Sequence, residues 1–388
     1  MSDARIAIVG AGIGGLVAGL ALTARGFTVD VYEQAPALGE VGAGLTLSRG
    51  AQSVFRELGV MERIAPLAVA AGRFAFLHYR SAALLAGAMD PSDGAPDDGT
   101  ADVARQIHRA DLHSVLADAF RERAPGRLHL GHALVAIDDR ANAVDARFAN
   151  GAVASADALI AADGVRSTAR TLLWGEDQPR YTGQVAFRFL VARAAAQPYL
   201  EHGRGAVFIG PGRTFNRYTL RGGAMVNCVG LAAHPEWVAD SWSCGATREE
   251  LLANFEGWHP SVTGLMGEAG ALIKWGIYDR APLPCWSQGR STLLGDAAHA
   301  MLPFLGMGAA MAIEDGMILA RAFDTEGGVA EAFARYEASR RPRTTLVHEK
   351  SAQQGRLTQA LDPEAYDHSA SPAGDPAITG FDPVTAPI

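Results

Sequence analysis

Cysteine is scarce in this chain. Only Cys228, Cys244 and Cys285 occur among 388 residues. They are odd in number, scattered and without a CxxC pair. That argues against a disulfide framework or a zinc site and points to a reducing cytoplasm. Long apolar runs are also missing. Hydrophobic residues make up 48% of the chain, enough for a sizeable core. Yet no run approaches the ~18–20 residues of a membrane span. Met1 leads almost at once into a strand, so no signal peptide is expected. An excess of positive charge is absent. The net charge of −8 argues against a nucleic-acid coat or an anionic membrane surface. Local arginines still allow a small anionic substrate. The histidines lack metal-ligand spacing, with His108 and His113 too poorly placed to suggest a site, so no metal is expected. There are no internal repeats. The length allows two domains or one large elaborated one.

What is present begins at the start of the chain. An apolar strand pattern, Ile6 to Val9, enters Gly10-Ala11-Gly12-Ile13-Gly14-Gly15. A helix pattern with Leu16, Leu20 and Leu22 follows, and Gly26 is a plausible stop. A second alternating strand, Phe27 to Tyr32, ends on Glu33 and Gln34. This strand, glycine turn, helix, strand and acid form a dinucleotide-binding unit. Gly10 permits the turn, Gly12 lets backbone approach a pyrophosphate, and Gly15 lets helix and strand pack closely. Gly14 lies in the same turn. The helix N-terminus offers unpaired N–H groups and a positive dipole end. Glu33, about twenty residues on, is placed to accept from a ribose hydroxyl.

Further along, Ser48 reads as an N-cap for a helix closed by Gly59. A strand is expected over 73–79, followed by an exposed acidic loop at 90–100. Gln106 to His113 opens an amphipathic helix in which Arg109 is a phosphate or flavin contact candidate. Strands are expected over 133–137, 144–148 and 153–162, with a turn at Asn150-Gly151. The last runs into Asp163-Gly164 and a helix start, which fits a second loop around a cofactor. Residues 180–232 are rich in strand patterns and poor in helix, so they read as an inserted antiparallel sheet. A strand over 291–294 returns to the first domain and ends in Gly295-Asp296. Helices are expected over 308–322 and 329–348. The tail from 362 reads as irregular. No second glycine-rich strand–turn–helix is present, so one dinucleotide is held in a full nucleotide fold.

Three separated loops therefore form a set: the glycine turn with Glu33, Asp163-Gly164, and Gly295-Asp296. With Ile107-His108-Arg109-Ala110-Asp111-Leu112, Tyr181-Thr182-Gly183-Gln184-Val185-Ala186, Asp279-Arg280-Ala281-Pro282-Leu283 and Leu294-Gly295-Asp296-Ala297-Ala298-His299, the chain resembles the FAD-dependent monooxygenases of the aromatic hydroxylase group. Within it, the chain is similar to the salicylate hydroxylase, 3-hydroxybenzoate 6-hydroxylase and 6-hydroxynicotinate monooxygenase branch. The resemblance covers nearly the whole chain. It implies an α/β fold, a Rossmann-like FAD domain with an inserted antiparallel β-sheet substrate domain. The FAD domain would comprise 1–70, 100–175 and 290–350. The substrate domain would comprise 71–99 and 176–289, leaving a helix end and tail at 351–388.

The resemblance also implies roles. Gly10, Gly12, Gly14 and Gly15 would take the FAD pyrophosphate, and Glu33, with Gln34 beside it, the adenosine end. Arg109 would lie along the flavin or its phosphates. Val135 would contact adenine through its backbone. The Asp163-Gly164 loop would serve FAD and the passing nicotinamide nucleotide. Asp296 would bind the ribityl or phosphate part. The helix start at Gly308, Ala309 and Ala310 would face the flavin pyrimidine, and Pro303 would sit near the reacting oxygen. NADH or NADPH would reduce the flavin, and O₂ would add to form a C4a-hydroperoxide that attacks an electron-rich aromatic ring. The expected protein is a cytoplasmic monomer or homodimer without membrane or nucleic-acid partners.

The chain departs from the family pattern around its substrate. Thr214 stands where relatives usually carry a histidine, so the expected base is missing. Thr214 remains a candidate to orient substrate or water, and Tyr218 to hydrogen-bond a substrate hydroxyl. Met307 replaces a common glutamine beside the flavin. Arg188, Arg217 and Arg221 are the candidate partners for a substrate carboxylate. A non-phenolic or natural-product substrate is the alternative reading, and a flavin-binding protein without oxygenation a more distant one.

Overall fold

In the computed structural model, residues 4–39, 44–71, 74–87, 103–203, 205–234 and 244–388 are described. The first strand, Arg5–Val9, pairs in parallel with Thr28–Tyr32 on one side and Ala158–Ala161 on the other. Ala158–Ala161 pairs in parallel with Ser291–Leu293. Leu128–His129 and the antiparallel Ser287–Gln288 complete a six-stranded sheet. Ile6, Ile8, Leu159 and Ile160 are buried, as parallel strands covered on both faces must be.

Helices Ile13–Thr23, Arg109–Arg123 and Gly308–Phe323 supply much of that cover. They cross closely where glycine allows it. A side chain at Gly316 would lie 2.8 Å from Ala18 N, and one at Gly19 would lie 2.9 Å from the Phe120 ring. Ser48 caps its helix by accepting from Ala51 N at 3.1 Å.

The second large element is an eight-stranded sheet. Its strands come from 74–87 and from 180–279. Side chains alternate across it with the period of two that strands impose. Val185, Phe187, Phe189, Phe208 and Phe215 point into a core closed by Leu251, Phe255 and Leu265 from helices Arg248–Asn254 and Pro260–Gly267. The other face looks toward the loops of the six-stranded sheet.

Four expectations need correction. Gln106 to His108 is not helical: Arg105–His108 is a strand, paired with Gly44–Leu47, and the helix starts at Arg109. The single strand over 153–162 is two strands. Val153–Ala156 joins a three-stranded antiparallel meander and Ala158–Ala161 joins the parallel sheet. The chain changes sheet at Asp157, whose carboxylate accepts from Arg5 N at 2.8 Å. The last helix, Val329–Thr358, runs a further ten residues beyond 348 (358 − 348). The tail is not irregular. Asp362, Asp367, Ser371 and Asp375 each cap a short helical turn, and Phe381, Val384 and Ile388 pack on the main core. The acidic loop at 90–100 lies outside the described residues.

Candidate active site

The three loops named above leave the carboxyl ends of neighbouring parallel strands. Val9 leads to Gly10, Ala161 to Asp163, and Leu293 to Gly295. The pairings Ala162 N to Val9 O at 2.7 Å and Leu294 N to Ala161 O at 2.8 Å keep them side by side. Ligands of open α/β sheets bind at this edge.

Each glycine of the first loop has its own reason. Gly10 has φ +102°, and a side chain there would strike the Ala162 carbonyl. One at Gly15 would strike the Gly10 carbonyl, and one at Gly14 would lie 2.7 Å from Leu294. Gly12 faces open space. Among the described residues no side chain caps the helix it starts. The loop is thus packed from behind and open in front of Gly12, and among the described residues the helix start it leads into has no side-chain cap, an arrangement that fits a pyrophosphate. His113 braces it, with Nε2 2.6 Å from Ala11 O. No motif signals that contact.

Glu33 is fixed by two backbone groups. Its carboxylate accepts from Ala11 N and Ala35 N, both at 2.9 Å, with lone pairs left for a ribose. Gln34 beside it is exposed. The segment leading to the exposed Val135 runs alongside, through His132 N to Glu33 O at 2.8 Å and Gly131 N to Ala35 O at 3.0 Å. Arg109 begins its helix with an exposed side chain.

Asp163 turns its carboxylate into its own loop. It accepts from Ala169 N at 3.0 Å and from the Ser167 hydroxyl at 2.5 Å. Burial raises its pKa against the pull of these hydrogen bonds. What this loop offers a ligand is backbone, at Gly164 above all, where φ is +79° and the Cβ direction is open.

Asp296, by contrast, is exposed at the start of its short helix. Behind it lies a fully buried ion cluster that sequence reading missed. Asp315 accepts from Gly295 N at 3.0 Å, His299 Nε2 at 2.6 Å and Arg340 Nε at 2.7 Å. Burial would raise its pKa, but His299 and Arg340 reverse this and hold it below the usual range. Glu314 pairs with Arg340 and Arg343. His299 thus positions a loop.

Helix Gly308–Phe323 starts nearby. Gly308 and Ala309 are half-buried, Ala310 is buried, and no side chain among the described residues caps this terminus either. Pro303 is exposed, and its neighbours Leu302 and Phe304 pack on Ala186, Leu231 and Ile277 of the large sheet.

That sheet face is a floor laid out in cross-strand rows. Thr214, Leu231, Ala186 and Trp275 form one, and Asn216, Val229, Arg188 and Ile273 the next. Tyr218, Asn227 and Leu190 form the third. Thr214 is buried. Tyr218 is packed against strand Gly44–Leu47: a side chain at Gly44 would lie 2.5 Å from its hydroxyl. Burial pushes its pKa up to about 12, so it remains a phenol at neutral pH.

The histidine spacing concealed one cluster. Ligand atoms of Glu201, His202 and His259 lie within 4.8 Å of one another. They already serve local structure: Ser261 Oγ donates to Glu201 at 3.0 Å, and His259 caps helix Pro260–Gly267. The cluster lies beside Phe208, in the core on the other face of the sheet.

A family model described as FAD binding domain matches residues 3–351. The chain belongs to this family. It is 35% identical over 350 residues to the 3-amino-4-hydroxybenzoate 2-monooxygenase of Streptomyces cremeus, covering 90% of this chain and 86% of that one. It is 32% identical over 382 residues to the 6-hydroxynicotinate 3-monooxygenase of Pseudomonas fluorescens, covering 96% and 98%. A salicylate hydroxylase substrate complex superposes with a TM-score of 0.82 at 26% identity, covering 98% of this chain and 96% of that one. The protein is an FAD-dependent monooxygenase with the aromatic hydroxylase fold. Among the described residues, no helix is long and apolar enough to cross a membrane.

Proposed function

We propose that this flavoprotein hydroxylates a small aromatic ring, using NADH or NADPH and O₂. The observation that carries the reading is the meeting of two surfaces. An FAD-fitting sheet edge faces a half-polar floor, and Leu302 and Phe304 join them on either side of Pro303. Two of the relatives act, by their names, on 3-amino-4-hydroxybenzoate and 6-hydroxynicotinate, both hydroxylated aromatic acids.

In this reading Gly10, Gly12, Gly14 and Gly15 hold the pyrophosphate of FAD. Glu33 and Gln34 take the adenosine end, with Val135 contributing backbone. Arg109 and Asp296 lie along the phosphates and ribityl chain, and the Asp163-Gly164 loop contributes backbone. Gly308, Ala309 and Ala310 present a helix N-terminus to the flavin ring, favouring negative charge there. Bound FAD supplies hydride acceptance from the nicotinamide and activation of O₂. The polypeptide supplies position and dryness. Leu231, Ile277, Leu302, Phe304 and Trp275 exclude water from the ring. Thr214 orients substrate or water, and Tyr218, held as a phenol, donates a hydrogen bond. Neither is a base at neutral pH, which favours rings already rich in electrons. The discontinuous FAD domain and the substrate domain built on the eight-stranded sheet remain the working division. Cytoplasmic residence is supported by the free thiols of Cys228 and Cys285.

The test is NADH and NADPH oxidation by the yellow protein against hydroxybenzoates, aminohydroxybenzoates and hydroxypyridines, with peroxide measured in parallel. A compound that accelerates oxidation with little peroxide supports the reading. Peroxide equal to the nucleotide consumed with every ring overturns it and favours a non-phenolic substrate.

A further inference from the structure

The turn at 302–305 joins the FAD-fitting edge to the sheet floor. Pro303–Leu305 is a single helical turn closed by Gly306, whose φ is +64° and whose N–H donates to Pro303 O at 3.0 Å. The end of helix Val329–Thr358 holds it from behind. Ser351, fully buried, donates its hydroxyl to Leu302 O at 2.6 Å. Gly355 lies one turn further along the same helix face. A side chain there would lie 2.6 Å from both Cδ2 and Cε2 of the Phe304 ring.

By helix propensity Gly355 is out of place. Glycine weakens a helix relative to alanine, and Gly355 does not end this one, which continues to Thr358. Its carbonyl still accepts from Gln359 N at 3.0 Å. What the missing side chain provides is room for Phe304. That ring sits against helix backbone on one side and packs toward Ala186, Leu231 and Ile277 of the floor on the other. Protein interiors are close-packed. A methyl group added on the helix side therefore pushes the ring toward the floor.

The same helix end is tied to the floor itself. Gln184 lies two residues before Ala186 on strand Arg180–Ala192, hence on the same face. It donates to Gln359 Oε1. Gln354 Oε1 accepts from Ser371 Oγ at 2.7 Å, which ties this turn of helix to the tail as well. Ser351 and Gly355 are not floor residues. Each acts on the floor through Leu302 or Phe304.

We infer that Ser351 and Gly355 are positioning residues that set the space between Phe304 and the floor, and that Gly355 makes this space deep enough for the aromatic ring of the substrate. The inference rests on the hydroxylase reading and adds a determinant of ring size to it. Gly355→Ala narrows the space, and trimming Phe304 reopens it.

The test follows flavin absorbance as FAD-loaded protein is titrated with ring compounds. 3-Hydroxybenzoate, 3-amino-4-hydroxybenzoate and 6-hydroxynicotinate are the single-ring probes, and 1-hydroxy-2-naphthoate is the fused one. Gly355→Ala should weaken the best single-ring probe tenfold or more, and raise its KM more than it lowers kcat, with FAD content unchanged. The double variant Gly355→Ala/Phe304→Leu should return that affinity to within threefold of wild type. A merely structural loss at Gly355 would not be rescued by a second change that deletes packing. Unchanged affinity in Gly355→Ala, or a loss that Phe304→Leu does not rescue, would overturn the inference. If Gly355→Ala fails to fold, Phe304→Leu alone decides. The naphthoate should then gain threefold or more on the single-ring probe, and an unchanged ratio overturns the inference. No flavin perturbation by any of the four in the wild type would do the same. Coupled turnover by the wild type with unchanged affinity in Gly355→Ala would remove the positioning role and leave the hydroxylase standing. Peroxide equal to the nucleotide consumed with every probe would remove the hydroxylase reading itself, and the inference with it.

Discussion

His299 Nε2 and Asp315 Oδ2 lie 2.6 Å apart in a setting that is 7% exposed on one side and 0% on the other. Asp315 also holds Gly295 N and Arg340, so a loop at the sheet edge is tied to two helices through one carboxylate. Asp315→Asn should lower stability by about 3–5 kcal/mol, the usual cost of breaking a buried pair, and reduce FAD retention. The folded-state pKa of Asp315 is depressed. Its stabilisation is therefore present above the unfolded value of ~3.9 and fades as pH falls through the lower folded value. Urea unfolding of wild type and variant should show a gap at pH 7 that narrows well below pH 4. A gap independent of pH would refute the assignment.

Gly12 and Gly15 separate binding from folding. Gly12→Ala meets no atom of the protein, so the apoprotein should melt within a degree or two of wild type, while FAD binds at least tenfold more weakly. Gly15→Ala strikes the Gly10 carbonyl and should lower the apoprotein melting temperature as well. Equal melting losses in the two variants would sink the distinction.

Glu33→Ala removes the acceptor for Ala11 N and Ala35 N together with the proposed ribose contact. FAD should be lost on gel filtration. Full retention would remove Glu33 from the cofactor site.

Tyr218→Phe tests a donor that does not titrate near neutrality. Its raised pKa, about 12, makes the neutral phenol the favoured folded form. The associated stability is present below the ordinary value of ~10 and is lost as pH rises through the folded value. Between pH 6 and 9 the variant should release a larger share of peroxide, keep its FAD and show an unchanged pH profile. A profile shifted in that range would mean that Tyr218 titrates there.

Truncation after residue 360 should lower the melting temperature by several degrees. It removes Phe381 from beneath Arg343, whose guanidinium lies 4.7 Å from that ring. It also removes Ala377 O and Ile378 O, which accept from the same arginine. An unchanged melting curve would make the tail dispensable.

The glycine turn, Glu33, the Asp163-Gly164 loop and Gly295-Asp296 could be read from the sequence because their chemistry is local. A positive φ, an uncapped helix start and a period of two or 3.6 are written in neighbouring residues. The same locality misled at 153–162, where one apolar run serves two sheets. Local pattern does not record that Asp157 is held by Arg5. It misled again in the tail, where composition suggested irregular chain but aspartate caps and the packing of Phe381 on the core fix it.

The sequence by itself pointed to a dinucleotide site on the first strand–turn–helix, and it supplied three candidate arginines. Only the tertiary structure decided among them. Arg188 and Arg217 belong to strands paired through Val229 and Cys228, and alternation sends them to opposite faces. Arg221 meets Asp111 from a strand–helix unit 110 residues away. A side chain's type fixes what it is able to bind. The register, and the partners that distant segments bring, fix whether it is still free to do so.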